Sequence, residues 1–243
     1  MSKVAAIIFA GGSGVRMGAG KPKQFLEVDG KPIIIHTLDI FENHHAVDEI
    51  YVACKEEFIG QLKKMIRRFD ISKVRAIVPG GSTGMDSIYR GLKAAGEQCD
   101  EDTIVLIHDG VRPFIAPELV SEVIDCVIEN GAAVTCTPLF ETPIVSKEGE
   151  MVEETPPRSE CYTAQAPQAF RLGTVLKAHE IVRKDNPDYK GLVDNCTMMN
   201  SLGMSVPIVK GPRSNIKVTT PEDLFMFKAM LEYRETRDAL GLD

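Results

Sequence analysis

The chain has 243 residues, 44% hydrophobic and 26% charged, with a net charge of −7. That length suits one large α/β domain or two small ones, and the apolar share supplies a core without disulfides or a structural metal. The acidic balance argues against a nucleic-acid polymer as partner, because a phosphate backbone is repelled on average. Six scattered cysteines (54, 99, 126, 136, 161 and 196) contain no CxxC pair, which speaks against zinc and thioredoxin-type chemistry and for a reducing compartment. The N-terminal apolar stretch is shorter than a signal-peptide core or a membrane span, and no later stretch qualifies, so the expectation is a cytoplasmic protein without membrane contact.

In chain order, β-rich runs at 4–9, 49–53, 75–78, 103–107 and 132–137 read as strands. Helical spacing fills 32–43, 56–69, 86–95 and 117–130, the last through Leu119, Val123, Ile124, Val127 and Ile128. Strands alternating with helices imply right-handed crossovers and a parallel sheet. The continuous run IVLI at 104–107 suits a strand buried on both faces. The alternation breaks at 138–167, where five prolines and a Lys-Glu-Gly-Glu turn (147–150) separate two extended pieces. That segment reads as a β-hairpin arm leaving the domain to pack on another subunit. Helices follow at 172–184 and 195–201, extended pieces at 205–209 and 215–218, and a last helix opens at Thr220-Pro221 and runs to about Leu240. The fold class expected is α/β: one domain over 1–243, three layers α/β/α on a mostly parallel Rossmann-like sheet, with 138–167 as a dimerisation arm.

The first strand runs into Ala10-Gly11-Gly12-Ser13-Gly14-Val15-Arg16-Met17-Gly18, then Pro22-Lys23-Gln24. Glycines after a buried strand let backbone N–H groups approach phosphate oxygens. The dinucleotide fingerprint fails, since Met17 stands where its third glycine belongs. A P-loop fails too: Gly20-Lys21 would need glycine at Val15 and Ser/Thr at Pro22. An NAD-dependent dehydrogenase is therefore disfavoured. What sets this loop apart is the pair of cations, Arg16 inside it and Lys23 after it, suited to holding a triphosphate and offsetting charge as its α-phosphorus is attacked.

The motifs AGGSGVRMG (10–18), PKQFLEVDGKPIIIHTL (22–38), GG…DS (80–87), HDGVRPFI (108–115), APQAF (166–170) and NIKVTTPEDL (215–224) extend over nearly the whole chain. In order and spacing the sequence resembles the cytidylyltransferase family that contains methylerythritol-phosphate cytidylyltransferase and ribitol-5-phosphate cytidylyltransferase. The resemblance implies an enzyme joining CTP to a small phosphorylated polyol, with Mg²⁺ or another divalent cation and release of pyrophosphate. Arg16, Lys23 and Lys217 are its implied catalytic residues. Ala10, Gly11, Gly12, Gly14, Gly80, Gly81, Ser82, Ser87 and Asp109 form the implied nucleotide site. Asp109, at the end of the IVLIH run, suits either a metal ligand or a turn aspartate by position, and the resemblance favours the metal. Arg112 reads as a phosphate contact or a brace, and His108 as a structural hydrogen-bonder. Thr142 and Arg158 on the arm, with Lys217, are the implied acceptor contacts, reaching the site across a homodimer.

The chain departs from the family pattern at Gly84 (commonly arginine), Glu141 (aspartate) and Ala166 (threonine). Asp194 and Cys196, with Ile144-Val145-Ser146-Lys147, lean toward the ribitol branch, hence a pentitol phosphate acceptor. The alternatives kept are 2-C-methyl-D-erythritol 4-phosphate as acceptor, a sugar-1-phosphate nucleotidyltransferase, and a catalytically silent nucleotide-binding module.

Overall fold

The computed structural model describes residues 2–11 and 22–241. Glycine loop positions Gly12, Gly14 and Arg16 lie outside the described residues. Apolar runs become strands and amphipathic stretches become helices in the order β1 (Val4–Ala10), the two-residue β2 (Glu27–Val28) and β3 (Lys31–Pro32), α1 (Ile33–Asn43), β4 (Glu49–Cys54), α2 (Ile59–Arg68), β5 (Val74–Pro79), α3 (Gly84–Gly96), β6 (Ile104–Asp109), α4 (Pro117–Asn130), β7 (Ala132–Pro138), β8 (Tyr162–Arg171), α5 (Leu172–Asp185), α6 (Asn195–Ser201), β9 (Ile208–Lys210) and α7 (Pro221–Leu240).

Seven strands form one sheet in the order β5-β4-β1-β6-β8-β7-β9 among the described residues. The β1–β4, β1–β6, β4–β5 and β7–β9 pairs are parallel, while β8 runs antiparallel between β6 and β7. The pleat sends alternate residues of β1 to opposite faces. Ala6, Ile8 and Ala10 join a core layer with Ile34, Leu38, Phe41, Leu62 and Val123 from α1, α2 and α4. Ala5 and Ile7 join a second layer with Ile88, Leu92, Val175 and Met198 from α3, α5 and α6. Burying a Leu, Ile or Phe completely stabilises by about 1.5–3 kcal/mol, so these two layers fix the sheet whose edge carries the site. A third, smaller cluster of Val28, Ile33, Val111, Val218, Phe227 and Leu231 docks α7.

Local signals set the helix ends. Pro117 stands at the start of α4 and Gly131 beyond its end is left-handed with φ 81°. Thr220 and Asp223 form a reciprocal capping box at α7. Two expectations change. The arm is shorter than 138–167, because Pro138 closes β7 and 162–167 pair into the sheet, Cys136 opposite Ala164 and Pro138 opposite Tyr162. Between them one bridge joins Val145 to Glu154; Pro143, Pro156 and Pro157 have no N–H to extend a ladder. Residues 215–218 form no strand: Val218 is buried and Lys217 exposed as expected, but Asn215, on the Lys217 side of the pattern, is fully buried.

Candidate active site

From β1 the chain moves outward to β4 and β5, then returns to β6 on the other flank of β1. The carboxyl ends of β1 and β6 therefore diverge at a switch point, where open α/β sheets bind ligands. The gap is kept close: Gly110 N donates to Phe9 O at 3.0 Å, and a Cβ on Gly110 would stand 3.1 Å from that of Ala10. Asp109 ends β6 beside this gap. Its Oδ1 pairs with Lys217 Nζ at 2.5 Å and its Oδ2 accepts from Arg112 Nε at 2.9 Å. Burial pushes this carboxyl up, but Lys217 and Arg112 outweigh burial and hold its pKa below the ordinary carboxylate value.

Arg112 also donates from Nη1 to Asn215 O at 2.7 Å, tying the segment that carries Lys217 to the end of β6. Val218 N adds a bond to Val111 O at 2.8 Å. Of the two roles open for Arg112, bracing is the one this geometry displays. His108 is fully buried, bonded through Nε2 to Arg112 O at 3.0 Å, and burial lowers its pKa to about 4. It is neutral at pH 7 and structural.

The loop after β5 forms the facing wall. Ser87 Oγ accepts from Gly81 N at 3.0 Å and donates to Thr83 O at 2.9 Å. Thr83 caps α3 by accepting from Asp86 N at 3.0 Å. Gly80 N donates to Cys54 O at 2.6 Å, and a Cβ on Gly80 would lie 3.1 Å from Ser87 Oγ. Gly11 approaches the same hydroxyl, so β1 and α3 meet through glycine backbone. Lys23 opens a short 3-10 turn and is 9% exposed, while its neighbour Gln24 donates to Ala10 O at 3.1 Å.

These elements enclose a cavity of about 630 Å³, lined among others by Ala10, Gly11, Lys23, Gly81, Ser82, Ser87, Asp109 and Lys217. A second cavity of about 280 Å³ adjoins it and is lined by Arg112, Gln165, Ala166, Gln168, Asp194 and Asn195. Phe9, Gly84, Asp109 and Lys217 border both. Asp194 is held by Gln168 Nε2 at 2.8 Å while capping α6 through Thr197 N at 2.7 Å.

The family model for 2-C-methyl-D-erythritol 4-phosphate cytidylyltransferase matches residues 4–233. The chain belongs to this family. It is a cytidylyltransferase, a nucleotidyltransferase enzyme. A ribitol-5-phosphate cytidylyltransferase of Streptococcus agalactiae is 42% identical over 238 residues, 97% of this chain and 98% of that protein. A 2-C-methyl-D-erythritol 4-phosphate cytidylyltransferase of Clostridium botulinum is 38% identical over 232 residues, 96% of this chain and 99% of that protein. The crystal structure of 4-diphosphocytidyl-2C-methyl-D-erythritol synthase from Anaerococcus prevotii matches with a TM-score of 0.82 at 30% identity, over 95% of this chain and 96% of that one.

In this cytidylyltransferase the expected nucleotide residues within the described part converge on one cavity, with Gly80 just behind it. Thr142 and Arg158 do not join them: both are exposed on the arm, line neither cavity, and Arg158 donates to Phe140 O at 3.0 Å. Lys55 and Thr83 line the larger cavity without having been singled out, and Gln24, quoted only within its motif, lines it too. Lys55 was findable, since it follows the carboxyl end of the strand next to β1. Gln165 carried no such signal, because it was read as part of the arm, and Gln168 was quoted only within the motif at 166–170. Among the described residues no helix is long and apolar enough to cross a membrane.

Proposed function

We propose that this cytidylyltransferase transfers CMP from CTP to ribitol 5-phosphate or a related pentitol phosphate, giving a CDP-polyol and pyrophosphate. The observation that carries the reading is the pair of adjoining cavities with Lys217 at their boundary. The larger has room and cationic lining for a nucleoside triphosphate, and the smaller suits a compact polyol. The acceptor phosphate oxygen, already anionic near pH 7, attacks the α-phosphorus in line, so the protein's work is positioning two polyanions and offsetting their repulsion. Arg16 and Lys23 stabilise the crowded α-phosphorus, and Lys217 aligns the acceptor.

Mg²⁺ or another divalent cation fits Asp109 as a single carboxylate ligand supplemented by triphosphate oxygens and water. It does not fit a resident all-protein site, since the described residues hold no group of three or more His, Cys, Asp or Glu able to bind a metal. When bound, it offsets charge on the triphosphate. Lys217 and Arg112 each pair with one oxygen of Asp109, so a bound cation would share that carboxylate with them.

The ribitol-named relative is 42% identical and the methylerythritol-named one 38%, and Asp194 and Gln168 face the smaller cavity. The second reading, 2-C-methyl-D-erythritol 4-phosphate as acceptor, is supported by the family model and the A. prevotii structure. Thr142 and Arg158 are proposed to grip the acceptor phosphate in the neighbouring subunit of a homodimer. Exposed Phe140, Ile144, Met151 and Val152 give the arm an apolar surface for that contact.

The test is pyrophosphate release with Mg²⁺ and CTP, comparing ribitol 5-phosphate with 2-C-methyl-D-erythritol 4-phosphate. Turnover confined to the second acceptor would overturn the pentitol reading. Mixing Lys217→Ala with Arg158→Ala protein should restore activity that neither has alone; no restoration would sink the shared site.

A further inference from the structure

We propose that Arg183, on α5 and outside both cavities, is a positioning residue for the nucleotide: through Asp86 it fixes the wall that residues 80–83 present to the larger cavity. The proposal rests on reading that cavity as the CTP site. Asp86 lies directly behind the wall. Its Oδ2 accepts from Ser82 N at 3.3 Å, and its carboxylate fills the space a Cβ on Gly81 would need. The backbone of the wall therefore follows the carboxylate wherever it is held.

Two arginines hold it. Arg90, one turn along the same helix, reaches Oδ2 at 3.2 Å with its side chain 48% exposed. An exposed pair of this kind is weak and free to rearrange. Arg183 reaches Oδ1 at 2.8 Å from 97 residues away, with its side chain 30% exposed. Its guanidinium carbon lies 4.6 Å from the centre of the Tyr89 ring and 5.5 Å from that of Tyr189. A planar cation between two aromatic faces keeps its orientation.

The far anchor is also fixed. Tyr189 is 3% exposed and its hydroxyl meets His179 Nδ1 at 2.6 Å. His179 Nε2 in turn meets Asn195 Oδ1 at 3.0 Å, on the helix that borders the smaller cavity. Arg183 thus joins the nucleotide wall to the rigid α5–α6 layer, while Arg90 only joins α3 to itself. A salt bridge serving stability alone would leave nucleotide selectivity untouched, and this difference is measurable.

The variants are Arg183→Gln, Arg183→Lys and Arg90→Gln. In ligand-free protein, amide hydrogen exchange in the peptide covering 80–83 should speed up about tenfold in Arg183→Gln, the scale of one lost hydrogen bond. Arg183→Lys should recover part of this, and Arg90→Gln should change it less than about threefold. In turnover, Arg183→Gln should raise KM for CTP about tenfold with kcat nearly unchanged, and lower the preference for CTP over UTP by a similar factor. Adding Arg183→Gln to Asp86→Asn should cost little more than Asp86→Asn alone, because Arg183 acts through that carboxylate. Unchanged exchange overturns the proposal, as does faster exchange with KM and selectivity intact. Wild-type protein showing no preference for CTP would sink the reading of the cavity instead, and the exchange rates would then decide the role of Arg183 alone.

Discussion

Lys217 and Arg112 both pair with Asp109, yet the proposed function gives them different work, and substitution by methionine should separate the two. The Lys217 side chain is 42% exposed, so water solvates much of its charge and the pair with Asp109 contributes about 1 kcal/mol or less to stability. Its loss leaves Asp109 still bonded to Arg112. The Arg112 side chain is 12% exposed and makes two bonds, to Asp109 and to Asn215 O. Breaking a buried pair costs about 3–5 kcal/mol, reduced here because Lys217 stays on the other carboxylate oxygen, so Arg112→Met should destabilise by about 2–4 kcal/mol. The rates should order the other way for Lys217. Removing one preorganised charge at the reacting phosphate costs about 100- to 1000-fold, or about 2.7–4 kcal/mol of barrier.

Urea unfolding at neutral pH gives the stabilities, and pyrophosphate release at saturating CTP gives the rates. Lys217→Met should unfold near the wild-type midpoint and turn over at least about 100-fold more slowly. Acid unfolding adds a signed check. The folded pKa of Asp109 lies below its ordinary 3.8, so its contribution is present above that value and is lost as pH falls through the lower folded value. Without Lys217 the folded value lies closer to 3.8, so this loss should be smaller and should be complete at a higher pH. Equal destabilisation by the two variants, or Lys217→Met with a near-normal rate, would refute the division of labour.

His108 and His179 are buried with pKa values lowered to about 4, so between pH 6.5 and 4 the unfolded chain binds more protons. As pH drops from 6.5 to 4 stability should therefore decrease, by up to about 3 kcal/mol for each histidine, and a flat urea midpoint across that window would contradict their burial as neutral groups. Gly81→Ala should raise KM for CTP about tenfold, since its Cβ would displace the Asp86 carboxylate and with it the cavity wall; unchanged KM would show that the wall can yield. Gly84, in contrast, has nothing within 4 Å of a built Cβ and no positive φ, so Gly84→Ala should raise stability by about 0.4–1 kcal/mol in the same urea assay. Lys23→Ala should lose at least about 100-fold in pyrophosphate release, and a near-wild-type rate would remove it from the reaction.

The parts of the molecule legible from sequence are those whose physics is local. β1 and β6 announce themselves because residues buried on both faces leave uninterrupted apolar runs. Pro117 and Gly131 bracket α4, and Thr220-Pro221 opens α7, because caps are short-range chemistry. Asp109 was placeable because it ends an apolar run at the edge where such sheets bind ligands. β8 was missed in part because 162–167 were read as an extended piece of the arm, and only pairing with β7 shows that they belong to the sheet. Residues 215–218 alternate like a strand, yet they form a loop held by Arg112 and by Val111 O. The Asp86–Arg183 pair spans 97 residues and follows no motif, so no reading of one segment finds it.

The charge balance looks contradictory for an enzyme whose substrates are polyanions, and the architecture resolves it. The chain carries a net charge of −7, while among the described residues the larger cavity is lined by Lys23, Lys55 and Lys217 against the single carboxylate of Asp109. Each lysine comes from a different segment: one precedes α1, one follows β4, one precedes α7. The basic cluster of the sequence, Lys63, Lys64, Arg67 and Arg68, lies on α2 and does not line this cavity, whose positive charge is assembled only when the sheet brings those ends together. A field built this way is confined to a cleft with low-dielectric walls, where it attracts a triphosphate over short range, while the acidic exterior repels longer polyanions. The fold thereby places a basic cleft suited to a triphosphate within an acidic chain.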